Sequence, residues 1–375
     1  GATHVAVSPK GKDVAFILNG DVYVTTIDFS TTKQITCTPE RERCVDFRAD
    51  GRAVVYDSER GGIWSIYESE IVNDKEAVMT YCTELKERRL TDGVTTSFQP
   101  QYSPDGKKVA YFQNREAICI VDVKSGKMHT AMDAKYTYSY SDGDQYFTWS
   151  PDGKWLLANY MGNGGWNNVD VALIDAEGKD EPVNLTQSGY TDSRPRWVMG
   201  GKAMIFASDR AGYRSHGSWG AHRDVYITFF DDEAYNKFRM NKEDRSLLEE
   251  SEKKDKKSEK KDSTEKEKKV EALELQLDNL DDRTMRLTFQ SSHLSDAVMN
   301  NEGTRLYYLA PHNGNMALWV RDFVEERTEL KMQRIDARSF QLDKIGNTCY
   351  FIGQGGTLCQ LNLNSASVKT IPFEA

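Results

Sequence analysis

One turn phrase keeps returning along this chain, and a recurring unit constrains the fold more than any bulk property does. Ser103-Pro104-Asp105-Gly106 and Ser150-Pro151-Asp152-Gly153 are identical, and Ser8-Pro9-Lys10-Gly11 and Ala49-Asp50-Gly51 are near copies. Proline presets φ for the second position of a turn, Asp tolerates the third, and Gly closes it. Each phrase leads into an apolar run such as Val14-Ala15-Phe16-Ile17 or Val109-Ala110-Tyr111-Phe112. The phrase therefore marks a hairpin between two strands and is not a catalytic motif. Turn glycines fall at Gly11, Gly51, Gly106, Gly153, Gly201, Gly303 and Gly346, the last three in degenerate turns. A unit that returns at roughly 40–50 residues signals a repeat architecture.

Each unit carries four strand-like segments. Asp21-Val22-Tyr23-Val24 and Asp170-Val171-Ala172-Leu173 illustrate the third, and Gln34-Ile35-Thr36 and Asn184-Leu185-Thr186 the more polar fourth. Four strands per repeat, bounded by turn residues and without long helical periods, describe the blade of a β-propeller. The expected fold is all-β, a seven-bladed propeller with blades at about 1–40, 41–93, 94–135, 136–188, 189–291, 292–336 and 337–375. Each blade is read as one contiguous segment, with ring closure by packing between the first and last. The gap from Gly201 to Gly303 is twice the usual length. It holds residues 242–271, with 11 Lys+Arg and 11 Asp+Glu, too charged to bury an apolar face. A disordered or solvated helical insertion in blade five is expected there, as a surface insertion or a docking arm, with an extra distorted blade as the other option. Leu273–Leu277 and Met285–Phe289 read as strands that finish blade five.

Net charge is −9 with no basic stripe, which argues against nucleic acid. No apolar run reaches membrane-spanning length. Gly1 stands where a start Met would be, which reads as a processed or engineered start, so an upstream targeting segment is compatible with the sequence. The six cysteines, Cys37, Cys44, Cys82, Cys119, Cys349 and Cys359, form no CxxC pair, so zinc is not expected. Cys37 with Cys44, or Cys349 with Cys359, could pair across strands; otherwise they read as small buried hydrophobes. No Gly-x-Ser-x-Gly elbow, Walker loop or His-Glu-x-x-His is present. His216 and His222 are close in sequence but lack further ligands, and Ser215, His216 and Asp209 are sequence neighbours, which triads seldom are. The expectation is no catalytic residue, no metal and no cofactor.

Propeller topology sorts the loops onto two faces. The turn glycines share one. Long aromatic loops share the other: Tyr136-Thr137-Tyr138-Ser139-Tyr140, Gly162 to Asn168, and Tyr213 to His222. Clustered exposed aromatics mark binding surfaces, which makes Tyr138, Tyr140, Trp166, His216 and Trp219 a candidate peptide- or partner-binding face; folding back over the blade edges is the alternative. Inner strands line the central bore, and their alternation puts Phe47, Tyr102, Trp149 and Trp197 in the core. Asp46, Gln101, Thr148 and Arg196 then face the bore as candidate channel-lining residues.

The turn phrases are typical of TolB-like propellers, and Asp57-Ser58-Glu59-Arg60-Gly61 and Ala207-Ser208-Asp209-Arg210-Ala211-Gly212 resemble the Ser-Asp-Arg-x-Gly turns of that class. Further stretches resemble the second propeller of bacterial tricorn-protease homologues: Gly20-Asp21-Val22-Tyr23-Val24 with Gln34-Ile35-Thr36, Tyr213 to Gly220, Phe229-Phe230-Asp231-Asp232-Glu233-Ala234-Tyr235, and Asp281-Asp282-Arg283. The resemblance implies a non-catalytic module of a serine peptidase that gates or binds unfolded peptides. Its implied partners are those peptides or a protein partner, with PDZ and peptidase domains on the same parent chain and homo-oligomers formed through that parent. It also implies a periplasmic or secreted location, with the cytoplasm as the alternative. Two rivals stand beside it: a propeller with its own hydrolase or lyase site, and a stand-alone TolB-like scaffold that docks a folded protein. Gating predicts that Arg196→Ala alters peptide handling; the scaffold predicts that Trp166→Ala or Trp219→Ala abolishes capture of a folded partner.

Overall fold

In the computed structural model, which describes residues 2–214, 220–259, 270–343 and 346–373, the strands form seven sheets of four. Every sheet is antiparallel and runs in simple sequence order from its first strand to its fourth. The chain is a seven-bladed β-propeller with each blade drawn from one contiguous stretch. Blade one opens at Val5–Val7 and blade seven ends at Val368–Ile371. The ring closes as expected: Val5, Val7 and Phe16 of blade one share a core with Tyr350, Leu358 and Ile371 of blade seven.

The turn phrase works through side-chain hydrogen bonds as well as backbone preference. In blade three, Gly106 N donates to Ser103 O at 2.9 Å with Gly106 at φ +73°, a conformation L side chains rarely adopt. Ser103 Oγ donates to Asp105 Oδ1 (2.6 Å) and accepts from Lys108 N (3.0 Å), while Asp105 Oδ1 accepts from Lys107 N (3.0 Å). Blade four repeats the pattern with Ser150, Asp152 and Trp155 N. Two of the three degenerate turns keep the acceptor under another name: Asn300 Oδ1 takes Thr304 N and Arg305 N, and Asp343 Oδ1 takes Gly346 N and Thr348 N; the Gly201 turn, Met199–Gly201 after Val198, has no Ser, Asp or Asn to supply one.

A second repeated device pins the outer strand. Thr36, Thr91, Thr186 and Thr288 each accept from a third-strand N–H through Oγ1, at 2.8–3.1 Å. In blades one, four and five the same hydroxyl donates to a third-strand carboxylate, Asp21, Asp170 or Asp224. This is the physical content of the recurring Asp-Val and Leu-Thr pairs: Asp satisfies the Thr proton that the backbone cannot.

Blade five departs from the sequence reading in one detail. Its outer strand is Thr284–Arg286, and Leu273–Leu277 forms no strand. The Leu273 side chain lies against Gly201, Leu275 packs on the blade four–five core, and Leu273 N donates to Asp152 Oδ2 at 2.9 Å. Apolar alternation there serves to plug the turn face, because Thr284–Arg286 already fills the sheet edge. The charged insertion enters as helix α1 (Asp232–Arg239) and helix α2 (Lys242–Glu259). α1 is capped by Asp231, which accepts from Ala234 N at 2.7 Å, and lays Phe238 on Phe229 and Phe323. α2 is almost wholly exposed through residue 256; residues 260–269 of the charged insertion lie outside the described residues.

Candidate functional site

Antiparallel order puts the turn glycines and the blade-five insertion on one face of the ring. The links between second and third strands, and those between blades, share the other face. On that second face, between blades four and five, lies a cleft of about 340 Å³.

Its outer wall is aromatic. Tyr138 and Tyr140 project from the link before blade four, and Trp166 from the 3₁₀ turn Gly165–Asn167. Tyr138 packs on Trp166 at 5.5 Å and on Tyr140 at 6.3 Å, yet the three rings stay 55 %, 54 % and 68 % exposed for Tyr138, Trp166 and Tyr140. Asp144 holds the loop in shape, accepting from Ser139 Oγ, Tyr140 N and Ser141 N. Asp170 does the same for the Trp166 loop through Asn163 N at 3.0 Å. His216 and Trp219 lie outside the described residues. Their neighbour Tyr213 is exposed and meets His222 edge-on, which in turn meets His293 at 4.6 Å.

The inner wall is cationic. Arg194 sits in a register break of the blade-five inner strand Asp192–Val198, at φ +52°, with its N–H donated to Asn159 Oδ1 at 3.0 Å. Its guanidinium lies 3.6 Å from Asp296 Oδ2 and 5.5 Å from the Tyr146 ring centroid, and its Nε is buried without a hydrogen-bond partner. Arg223 lines the same cleft and reaches Ser193 Oγ at 3.5 Å. Burial pushes the Arg223 guanidinium below its usual range; Asp209 opposes that shift and Arg194 adds to it. Thr137 Oγ1, also lining the cleft, is a second buried polar atom with no partner. Burial likewise pushes the Tyr146 phenol up.

The four bore candidates have assigned neighbours. Asp46 Oδ2 accepts from Tyr102 N (2.8 Å), tying blade two to blade three. Gln101 Nε2 donates to Phe147 O (2.9 Å) and Gln101 O accepts from Trp149 Nε1 (3.1 Å), tying blade three to blade four. Arg196 spans blades five, six and seven: it grips Asp296 through Nε (3.2 Å) and Nη2 (2.6 Å) and donates to Phe340 O (2.8 Å). Thr148 stands opposite Leu157 in blade four. Asp46, Gln101 and Arg196 thus have their polar atoms committed to neighbouring blades, and Arg196 is a structural clamp.

Sequence reading located the three described aromatics but passed over Arg194, Arg223 and Thr137. One signal was present for the first. Proline inside a strand marks an edge or a bulge, and Arg194-Pro195 has a counterpart in Gln99-Pro100, where Gln99 sits at φ +55° beside a similar register break. Nothing in the local pattern singles out Arg223 or Thr137.

The chain is similar to the tricorn protease in its crystal structure, with a TM-score of 0.69 at 13 % identity over 99 % of this chain and 34 % of that one. The likeness is one of fold. A Mycobacterium tuberculosis puromycin-hydrolyzing peptidase follows at a TM-score of 0.62 and 14 % identity, over 100 % of this chain and 53 % of that one. TolB from Acinetobacter baumannii gives 0.50 at 14 % identity, over 100 % and 78 %. In fold the propeller matches the TolB and tricorn propellers that the repeats resemble, and it spans about a third of the tricorn protease chain and about half of the peptidase. No family model matches the chain, and no curated protein matches it.

Proposed function

We propose that this propeller is a non-catalytic module of a tricorn-like serine protease and that it binds unfolded peptide at the cleft between blades four and five. The observation that carries the reading is the cleft itself. Exposed rings of Tyr138, Tyr140 and Trp166 stand beside Arg194 and Arg223, so apolar and charged parts of an extended chain meet complementary surfaces within a few residues of each other. Rigid aromatics contribute binding area at small entropic cost, and such side chains dominate interface energetics. The fold likeness to a protease and a peptidase supports the peptide as ligand. The reading carries with it PDZ and peptidase domains on the parent chain and a location in the periplasm or outside the cell.

The test is fluorescence anisotropy of a labelled unstructured peptide titrated with the chain. Trp166→Ala and Tyr138→Ala are expected to weaken binding about ten-fold each, since a well-placed aromatic contact is worth about 1–2 kcal/mol. Saturable binding that ignores both substitutions, or no binding by any peptide, would overturn the reading. A second reading, a TolB-like scaffold for a folded protein, draws on the same exposed rings; it requires capture of a folded partner with no affinity for unstructured peptides. The module claim is checked by immunoblot of source cells: a band above roughly twice 42.6 kDa supports a longer parent, and one at 42.6 kDa contradicts it.

A further inference from the structure

The cleft between blades four and five has a chemical asymmetry that the aromatic wall does not explain. Most of its unused polar capacity is donor capacity. Arg194 Nε is a buried donor with no acceptor, and Thr137 Oγ1 has no partner of either sort. Arg223 carries a guanidinium with five N–H donors, of which one reaches a hydroxyl at the limit of hydrogen-bond distance. Among the described residues Arg223 makes no ion pair. The carboxylates nearby are occupied: Asp296 by Arg196, Phe340 N and Ala297 N with Arg194 at 3.6 Å, Asp144 by Ser139, Tyr140 and Ser141, and Asp209 by Thr191 N and Arg214. Arg194 has one 3.6 Å ion pair, to an Asp296 already gripped by Arg196, and Arg223 has none among the described residues, so two partly buried arginines line one cleft with little resident negative charge to share. Partly buried cations short of acceptors are costly, so the arrangement is suited to a ligand that brings its own negative charge.

Resting on the peptide reading above, we propose that Arg194 and Arg223 take a carboxylate of the bound peptide while Tyr138, Tyr140 and Trp166 hold the apolar side chains next to it. A planar carboxylate matches the fork of a guanidinium and accepts from two donors at once. The left-handed backbone at Arg194 is part of the device. Asn159 fixes its N–H, and the register break turns the residue out of the strand ladder, so it lines the cleft while its Nη2 still reaches Asp296 of blade six. The carboxylate has two sources, the chain terminus of the peptide or an internal Asp or Glu side chain, and both present the same group.

The experiment titrates the full chain against one unstructured peptide of aromatic and aliphatic residues with a single internal Glu, prepared in four forms: free acid or C-terminal amide, each with Glu or with Gln. Loss of affinity on amidation alone assigns the terminal carboxylate; loss on Glu→Gln alone assigns the side chain. Either result, at about ten-fold or more, supports the proposal, because a hydrogen-bonded charge pair contributes about 1.5–3 kcal/mol. Arg223→Gln should erase that difference between forms, and Arg223→Lys should restore part of it. Equal affinity for all four forms overturns the carboxylate site while leaving the peptide reading intact if Trp166→Ala still weakens binding. No binding by any form overturns both. Since the four peptides are compared on one unaltered protein, a variant that folds poorly cannot mask the answer.

Discussion

Asp296→Ala should be among the most damaging single substitutions in the ring. Asp296 is 3 % exposed and serves three blades: Arg196 of blade five grips both oxygens, Phe340 N before blade seven donates at 2.8 Å, and the residue itself begins the inner strand of blade six. Truncation leaves the Arg196 guanidinium unpaired in a site where it is 15 % exposed. Removing one partner of a buried pair costs about 3–5 kcal/mol, and the orphaned Phe340 N–H adds to it. Burial alone would push the Asp296 carboxyl up, but Arg196, then Arg194 and the hydrogen bonds, hold it below the usual range. A depressed carboxylate contributes stability that is fully present above the unfolded value of 3.8 and is lost as pH falls through the lower folded value. The assay is urea unfolding of wild type, Asp296→Ala, Asp296→Asn, Asp296→Leu, Arg196→Met and the Asp296→Leu/Arg196→Met pair. The single substitutions should lower the midpoint at unchanged slope, and the double should cost less than the sum of the singles. The gap between wild type and Asp296→Asn should close below pH 3.8. A loss under about 1 kcal/mol for Asp296→Ala, or strict additivity, would refute the clamp.

Three further outcomes follow from the same geometry. Asp57 is fully buried and accepts from Arg43 N, Cys44 N and Gln99 N at 2.8–3.1 Å, so Asp57→Ala should cost about 3 kcal/mol in thermal or urea unfolding. Cys37 is exposed, whereas burial pushes the Cys119 thiol up to about 11 and those of Cys44 and Cys349 well above their usual value. Thiol titration of the native chain near neutral pH should show Cys37 reacting fast and those three only on unfolding. Replacing residues 242–271 with a short Gly-Ser linker should change stability by less than about 1 kcal/mol, because α2 touches the ring through exposed pairs such as Lys242–Glu325.

The propeller was legible because its punctuation is local. A Ser-Pro-Asp-Gly turn satisfies its own donors within five residues, so the phrase survives in sequence wherever a hairpin needs it. Two of the three degenerate turns still carry an acceptor, Asn300 or Asp343, at the first position. The site was less legible because it is assembled across blades. Tyr138, Tyr140 and Trp166 were found as exposed rings in long loops, but their meeting depends on the packing of two segments. Arg194 and Arg196 are two residues apart and would share a face in a regular strand; a register break, marked only by Pro195, lets Arg194 line the cleft while Arg196 grips the three-blade clamp at Asp296 that both touch. Leu273–Leu277 alternates like a strand yet plugs the turn face, because sheet-edge vacancy is a tertiary property that alternation cannot report.

Hydrogen–deuterium exchange of the chain with and without a saturating unstructured peptide tests the central claim most directly. The account predicts slowed exchange confined to 137–146, 159–169, 191–194 and the neighbourhood of Arg223, the segments that line the cleft between blades four and five. Protection confined to the opposite face, at the turn glycines and α2, or no change anywhere under saturating peptide, would contradict it.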